Sequence, residues 1–188
     1  MGRWQPDAQA RLQLAALALY GERGYEETTV AEIAERAGLT KRTFFRYFAD
    51  KREVLFRGSE LLEQQMVAAI EAAPASASAL GMIGAALDAA AVRFEEVREF
   101  AGPRHRIIAS SRELQERELI KAASLATAMA AALRARGLGE TTAALAARTC
   151  IIVMQLAFEQ WVNDPDQAPF QQVARDALGQ LREIAAAP

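Results

Sequence analysis

The chain is poor in the residues on which most enzyme chemistry is built. It holds one cysteine, Cys150, and one histidine, His105. A lone cysteine cannot close an internal disulfide, which fits a reducing compartment. One histidine and one cysteine also fall short of the three or four ligands of a structural zinc site, so no metal site is expected. No glycine-rich phosphate loop or dinucleotide turn is present, and no cofactor is implied. Within Arg148-Thr149-Cys150-Ile151-Ile152-Val153, the thiol reads as a small buried hydrophobe. Carboxylates pair only in sequence: Glu95 with Glu96, and Glu113 with Glu116 and Glu118. They read as solvated helix faces with Arg98, Arg112 and Arg117 as partners. Together these absences argue against an enzyme.

Long apolar runs are missing too. The longest uncharged stretch, 72–87, is broken by Pro74, Gly81, Gly84 and two serines, so no segment reads as a membrane span and no membrane partner is expected. The opening Met1-Gly2-Arg3-Trp4-Gln5-Pro6 leads into a polar amphipathic helix rather than a secretory signal. Pro6 also stands where a myristoylation pattern needs Ser or Thr. The expected location is the cytoplasm. Alternating runs of β-branched and aromatic residues are nearly absent. Much of the hydrophobic share of 52% is alanine, which favours helix. A length of 188 residues allows one large or two small domains, and the formal net charge of -2 excludes a general polycation.

What the chain does have is a distinctive stretch at 28–48. Thr29 followed by Glu32 is a capping box, so a helix should start at Val30. Val30, Ile33, Ala34 and Ala37 recur at helical spacing on one face. Gly38 suits a left-handed helix end. Leu39 then drops into the core, and Thr40 caps a second helix over 41–48. Phe44 and Phe48 should point inward. Lys41, Arg42, Phe45 and Arg46 should point outward, flanked by Thr43 and Tyr47. Between positions 40 and 52 stand five basic residues (Lys41, Arg42, Arg46, Lys51 and Arg52) and one acid, Asp50. This is a helix-turn-helix with one basic face. Lys and Arg suit guanine O6 and N7, and an aromatic edge suits the thymine methyl. Thr43, Tyr47 and Lys51 suit phosphate oxygens.

The surrounding residues resemble the TetR family of bacterial transcriptional regulators. The likeness runs from about position 11 to 56. It rests on Ala15-Ala16-Leu17-Ala18-Leu19-Tyr20 before Gly24-Tyr25, then Thr28-Thr29-Val30, Ile33-Ala34, Ala37-Gly38-Leu39-Thr40, Thr43-Phe44-Phe45-Arg46-Tyr47-Phe48 and Lys51-Arg52-Glu53-Val54-Leu55. The resemblance implies that Thr29 both caps its helix and touches a phosphate. It makes Lys41 and Arg42 the main base readers and gives phosphate contacts to Thr43, Tyr47 and Lys51, with Thr40 and Arg46 on the same DNA-facing surface. The chain departs at Phe45, where the family usually carries Tyr. The missing hydroxyl removes one phosphate bond and leaves an apolar contact to a base methyl or sugar. Val30 offers no base-reading group, so the second helix of the motif should carry most of the specificity.

The expected architecture is all-α. An N-terminal three-helix DNA-binding domain (1–52) precedes a larger helical ligand-binding and dimerisation domain (53–188). A first helix over about 6–23 carries Leu12, Ala15, Ala16, Leu19 and Tyr20 on one stripe, and a fourth runs from about Lys51 to Ala73. Further helices read as 78–101, 104–110, 112–136, 141–163 and 167–186, with breaks at Gly102-Pro103, Gly137-Leu138-Gly139 and Asp164-Pro165. The resemblance implies a homodimer through the last two helices. Ala143, Ala144, Ala147, Ile151 and Ile152 would form one small-residue face, and Phe170, Val173, Ala174, Leu178, Leu181 and Ile184 one apolar stripe. It also implies a small effector among the central helices. Phe94, Met129, Met154 and Phe158 would line its site, and Arg104, His105 or Gln155 would orient a polar group. A looser likeness of 104–136 to regulators of lipid or redox-cofactor genes suggests a lipophilic effector. The expected function is a ligand-responsive repressor on a palindromic operator in double-stranded DNA. The alternatives are an activator of the same fold, or a small-molecule-binding dimer that has lost DNA binding.

Overall fold

The computed structural model describes residues 8–164, 166 and 168–186. Among these the order is α1 (Ala8–Arg23), α2 (Val30–Arg36), α3 (Lys41–Tyr47), a 3-10 turn at Glu53–Phe56, α4 (Ser59–Ala72), α5 (Ala79–Glu96), α6 (Arg98–Ala109), α7 (Arg112–Ala135), α8 (Glu140–Asn163) and α9 (Phe170–Ala186). No strand occurs among the described residues, and the fold is all-α as expected. The expected helix starts at 6 and 167, and Pro165 of one expected break, lie outside the described residues.

The chain divides into two units. One holds the residues up to Gly58 together with Pro103–Glu118, and the other holds Ser59–Gly102 and the chain from Leu119 onward. The expected boundary at 52–53 falls inside the first of these units. The segment 103–118 joins the N-terminal unit because Ile107, Ile108 and Leu114 are buried in the same core as Leu12, Leu19, Ile33, Phe44 and Leu55. Three arginines fasten it there. Arg104 Nε donates to the Leu55 carbonyl at 2.7 Å, Arg117 Nε meets Glu53 at 2.6 Å, and Arg52 meets Glu113 at 3.0 Å. Arg117 thus pairs far along the chain, whereas Arg98 with Glu95 and Arg112 with Glu116 are local pairs.

Two expected boundaries move. The helix expected over about 51–73 is interrupted. The chain makes a 3-10 turn, passes through Gly58 at φ +87, a left-handed conformation at which glycine carries no Cβ penalty, and only then starts α4. The expected break at Gly102-Pro103 is absent. α6 runs through both residues, and the chain turns earlier, at Val97 (φ -117, ψ 16). A proline disfavours helix at the preceding residue through a clash with its Cβ, among other groups, and Gly102 has none. Pro103 still leaves one helix carbonyl without its amide partner.

In the second unit, Met66 and Ile70 of α4, Ile83, Ala86 and Ala90 of α5, Met129 and Leu133 of α7, and Ala143, Ala147 and Cys150 of α8 are buried in one core. Frequent alanine at the contacts lets helix axes approach closely. Burial pushes the Cys150 thiol pKa up to about 12, in keeping with an unreactive packing residue. In the same core Phe94, Phe158, Trp161 and Phe170 pack together, with ring centroids 4.7–6.2 Å apart. Glu95 accepts from the Phe170 amide at 2.7 Å and so caps the start of α9. Contrary to the sequence reading, α8 is long and apolar enough to cross a membrane by length and composition, with mean hydropathy 1.5. Ala143, Ala147, Cys150, Ile151, Val153, Met154, Ala157 and Trp161 of α8 are buried in the unit's own core, which accounts for that apolarity.

Candidate nucleic-acid interface

The capping box at α2 is formed in full. The Thr29 hydroxyl accepts from the Glu32 amide at 3.3 Å and donates to the Glu32 carboxylate at 2.8 Å, and the Thr29 amide donates to that carboxylate at 2.9 Å. The Thr29 amide and hydroxyl hold the Glu32 pKa below the usual carboxylate range. Its slight burial opposes them and Arg23, at 2.7 Å, adds to them. At the other end, Gly38 sits at φ +64. The Gly38 amide bonds the Glu35 carbonyl and the Leu39 amide bonds the Ala34 carbonyl, both at 2.8 Å. That pair of bonds is the Schellman closure. Thr40 then caps α3, its hydroxyl accepting from the Thr43 amide at 3.1 Å.

This turn is braced from outside the motif by a residue the sequence reading missed. The Arg11 guanidinium donates to the Ala37 carbonyl and stands 3.4 Å from that of Gly38, satisfying carbonyls at the α2 end that have no helical partner. It comes from 26 residues away, so no local spacing signals it. The loop before α2 is braced as well. The Lys51 ammonium donates to the carbonyls of Tyr25, Glu26 and Thr28 at 2.8, 3.1 and 3.1 Å and lies 4.2 Å from the Tyr25 ring centroid. Tyr20 donates to the Lys51 carbonyl at 2.6 Å. The ammonium expected at a phosphate thus also braces this loop. Lys51 does not begin a helix.

The α3 face is divided as its spacing requires. Phe44 and Phe48 are buried. Lys41, Arg42, Phe45, Arg46 and Tyr47 are exposed, and Thr43 is half-buried. Arg46 Nη2 donates to the Tyr47 hydroxyl at 3.0 Å and its guanidinium stacks on that ring at 4.8 Å. Among the described residues, no carboxylate lies within ion-pair reach of Lys41 or Arg42, while Arg23, Arg36, Arg52, Arg104 and Arg117 all have acidic partners. Two unpaired cations beside threonine and aromatic groups on one helix face suit the polar edges of a DNA major groove.

Residues 14–57 match the family described as bacterial regulatory proteins, tetR family. This N-terminal segment is therefore of the TetR type. Its likeness to the HTH-type transcriptional regulator TcmR of Streptomyces glaucescens is 40% identity over 74 residues, covering 39% of this chain and 33% of that protein. The match spans about a third of that relative's length. A Mycobacterium tuberculosis protein described as a mycofactocin biosynthesis transcriptional regulator, MftR, is 26% identical over 171 residues, covering 87% of this chain and 84% of that one. Among solved structures, Thermus thermophilus FadR, a transcriptional repressor in complex with lauroyl-CoA, superposes with a TM-score of 0.60 at 21% identity, covering 96% of each chain. This last likeness is one of fold, and it extends across both units of the chain.

Of the side chains expected around an effector, Phe94, Met129, Met154 and Phe158 share one core in the second unit. Phe94 and Phe158 meet there with ring centroids 5.2 Å apart, and Met129 and Met154 are buried. Gln155 is exposed on the outer side of α8, with Ile152 and Leu156. One residue of register turns it away from Met154. Arg104 and His105 belong to the other unit. There the Arg104 guanidinium is held by the Leu55 carbonyl, by Glu118 at 3.2 Å and by the Phe56 ring at 5.3 Å. These contacts tie Arg104 to the 3-10 turn, for which its neighbours in sequence carried no signal.

Proposed function

We propose that this chain is a TetR-family transcriptional regulator that binds a two-fold symmetric operator as a homodimer and represses from it. The observation that carries the reading is the α3 face, on which Lys41 and Arg42 stand exposed and, among the described residues, without acidic partners. Lys41, Arg42 and Phe45 face the bases. Thr29, Thr40, Thr43, Arg46 and Tyr47 meet phosphates, which set register without reading sequence.

Dimerisation is supported by apolar side chains that their own unit leaves uncovered. Leu145, Ile152 and Leu156 of α8 are 63%, 57% and 52% exposed, and Ile184 of α9 is 74% exposed. Positions 145, 152 and 156 share one face of α8. Of the residues first expected there, Ile152 and Ile184 are exposed. Ala143, Ala147 and Ile151 point into their own core, as do Phe170, Ala174 and Leu178. A C2 pair through α8 and α9 would set two α3 helices about 34–36 Å apart or a multiple of it, as a palindrome requires. An effector that favours one head spacing over another would release the operator. A lipophilic effector is supported by the apolar and aromatic interior of the second unit and by the lauroyl-CoA bound to a protein of the same fold.

The test is selection of bound sequences from a random double-stranded library, followed by titration of the enriched site with the parent and with Arg42→Ala. The expected result is an inverted repeat, with a loss of about 1–3 kcal/mol in the variant and relaxed preference at one base pair per half-site. Equal affinity of parent and variant for every sequence would refute the assignment.

A further inference from the structure

Phe45 stands out on the surface of the N-terminal unit. The large apolar side chains exposed among that unit's described residues are Leu14 at 41%, Phe45 at 57% and Tyr47 at 38%. Tyr47 carries a hydroxyl, and Leu14 lies on α1. Phe45 lies in the middle of α3, four residues after Lys41, so the two point to nearly the same side with a rise of about 6 Å between them. That interval matches about two base-pair steps at ~3.4 Å each. The ring is held in place as well as exposed. It packs edge-on against Phe44, with centroids 5.5 Å apart and planes at 81°, and Phe44 is fully buried.

A phenyl ring has no donor or acceptor, so it cannot read the hydrogen-bonding edge of any base. In the major groove the apolar feature that distinguishes one base from another is the C5-methyl group of thymine. We infer that Phe45 is a specificity-determining residue that reads a pyrimidine 5-methyl group, so that operator affinity depends on that methyl. This rests on the proposed reading of α3 as the major-groove helix. Because 5-methylcytosine carries its methyl at the same ring carbon, cytosine methylation at the contacted position strengthens binding by the same contact.

The experiment uses the full-length protein and the operator enriched by selection. Each symmetry-related pair of thymines is replaced in turn by deoxyuridine, which removes the methyl and leaves every hydrogen-bonding edge intact. One pair should weaken binding by about 15-fold, from about fourfold for each methyl buried. Phe45→Ala should bind the thymine and uracil operators equally while keeping the parent melting temperature, since its ring is exposed. At that same position, a cytosine operator should gain about 15-fold on C5-methylation with the parent and nothing with Phe45→Ala. An operator carrying uracil throughout that binds as tightly as the thymine operator overturns the inference but leaves the major-groove reading standing. Discrimination that persists in Phe45→Ala does the same and assigns the methyl contact elsewhere. Failure to enrich any operator removes the major-groove reading and this inference with it.

Discussion

Gly38 joins the two helices of the motif under two constraints at once, and they can be measured separately. Its φ of +64 is left-handed, where alanine costs about 1–2 kcal/mol. The stiffer unfolded chain of an alanine variant recovers about 0.4–1 kcal/mol, leaving a net loss of roughly 1 kcal/mol. A Cβ built at Gly38 would also stand 2.8 Å from Arg11 Nη2. The guanidinium must then leave the Ala37 and Gly38 carbonyls, at a further cost of roughly 1 kcal/mol for charged but half-exposed hydrogen bonds. Gly38→Ala should therefore lose about 2 kcal/mol and Arg11→Ala about 1 kcal/mol. The double variant should lose about 2 kcal/mol rather than 3, because no guanidinium is left to displace. Gly38→Asn, which tolerates the left-handed region but keeps the Cβ, should lose about 1 kcal/mol. The assay is urea unfolding by circular dichroism, with hydrogen exchange of the α2 amides to report on the N-terminal unit. Additive losses, with coupling below about 0.5 kcal/mol, would refute the claim that Arg11 braces the turn. A negligible loss in Gly38→Ala would refute the left-handed assignment itself.

Lys51→Met removes three charge-assisted hydrogen bonds and a cation–π contact at once. It should destabilise the N-terminal unit by about 2–3 kcal/mol after rehydration of the freed carbonyls, and an unchanged urea midpoint would refute the bracing role. The capping box gives a pH signature. Because the folded-state pKa of Glu32 is depressed, its stabilisation is present above the unfolded value of about 4.3 and is lost as pH falls through the folded value. The stability gap between the parent and Glu32→Gln should accordingly be wide at pH 6 and narrow in acid, and a gap that stays constant over that range would contradict it.

Elements defined by neighbours in sequence were legible from the residues alone. The capping box at Thr29 and Glu32, the glycine stop at 38, the cap at Thr40 and the inward Phe44 and Phe48 all depend on contacts three to five residues apart. Propensity and spacing encode such contacts directly. The starts of α2 and α3 follow from them. Longer-range partners were not legible in this way. Gly102-Pro103 looked like a break but lies within α6, and its C-terminal neighbours Ile107 and Ile108 are buried in the first core. Lys51, expected at a phosphate, also donates to three backbone carbonyls 23 to 26 residues away. Arg104, expected near an effector, donates to a carbonyl of the 3-10 turn 49 residues away. Alanine on α8 looked like an intersubunit face and lines its own core, because an alanine stripe fits any close helix contact and does not say which.

The sequence by itself determined the all-α character of this protein and the helix-turn-helix with its basic outer face. Both rest on propensities, caps and a period of 3.6 residues, which are properties of short segments. Only the tertiary structure decided that 103–118 belongs with the N-terminal unit, that Arg11 and Lys51 serve as braces, and that Leu145, Ile152 and Leu156 are the apolar side chains left uncovered on α8. Each of these depends on which distant surface reaches a given side chain first, and the burial and charge pairing that settle it exist only once the chain has folded.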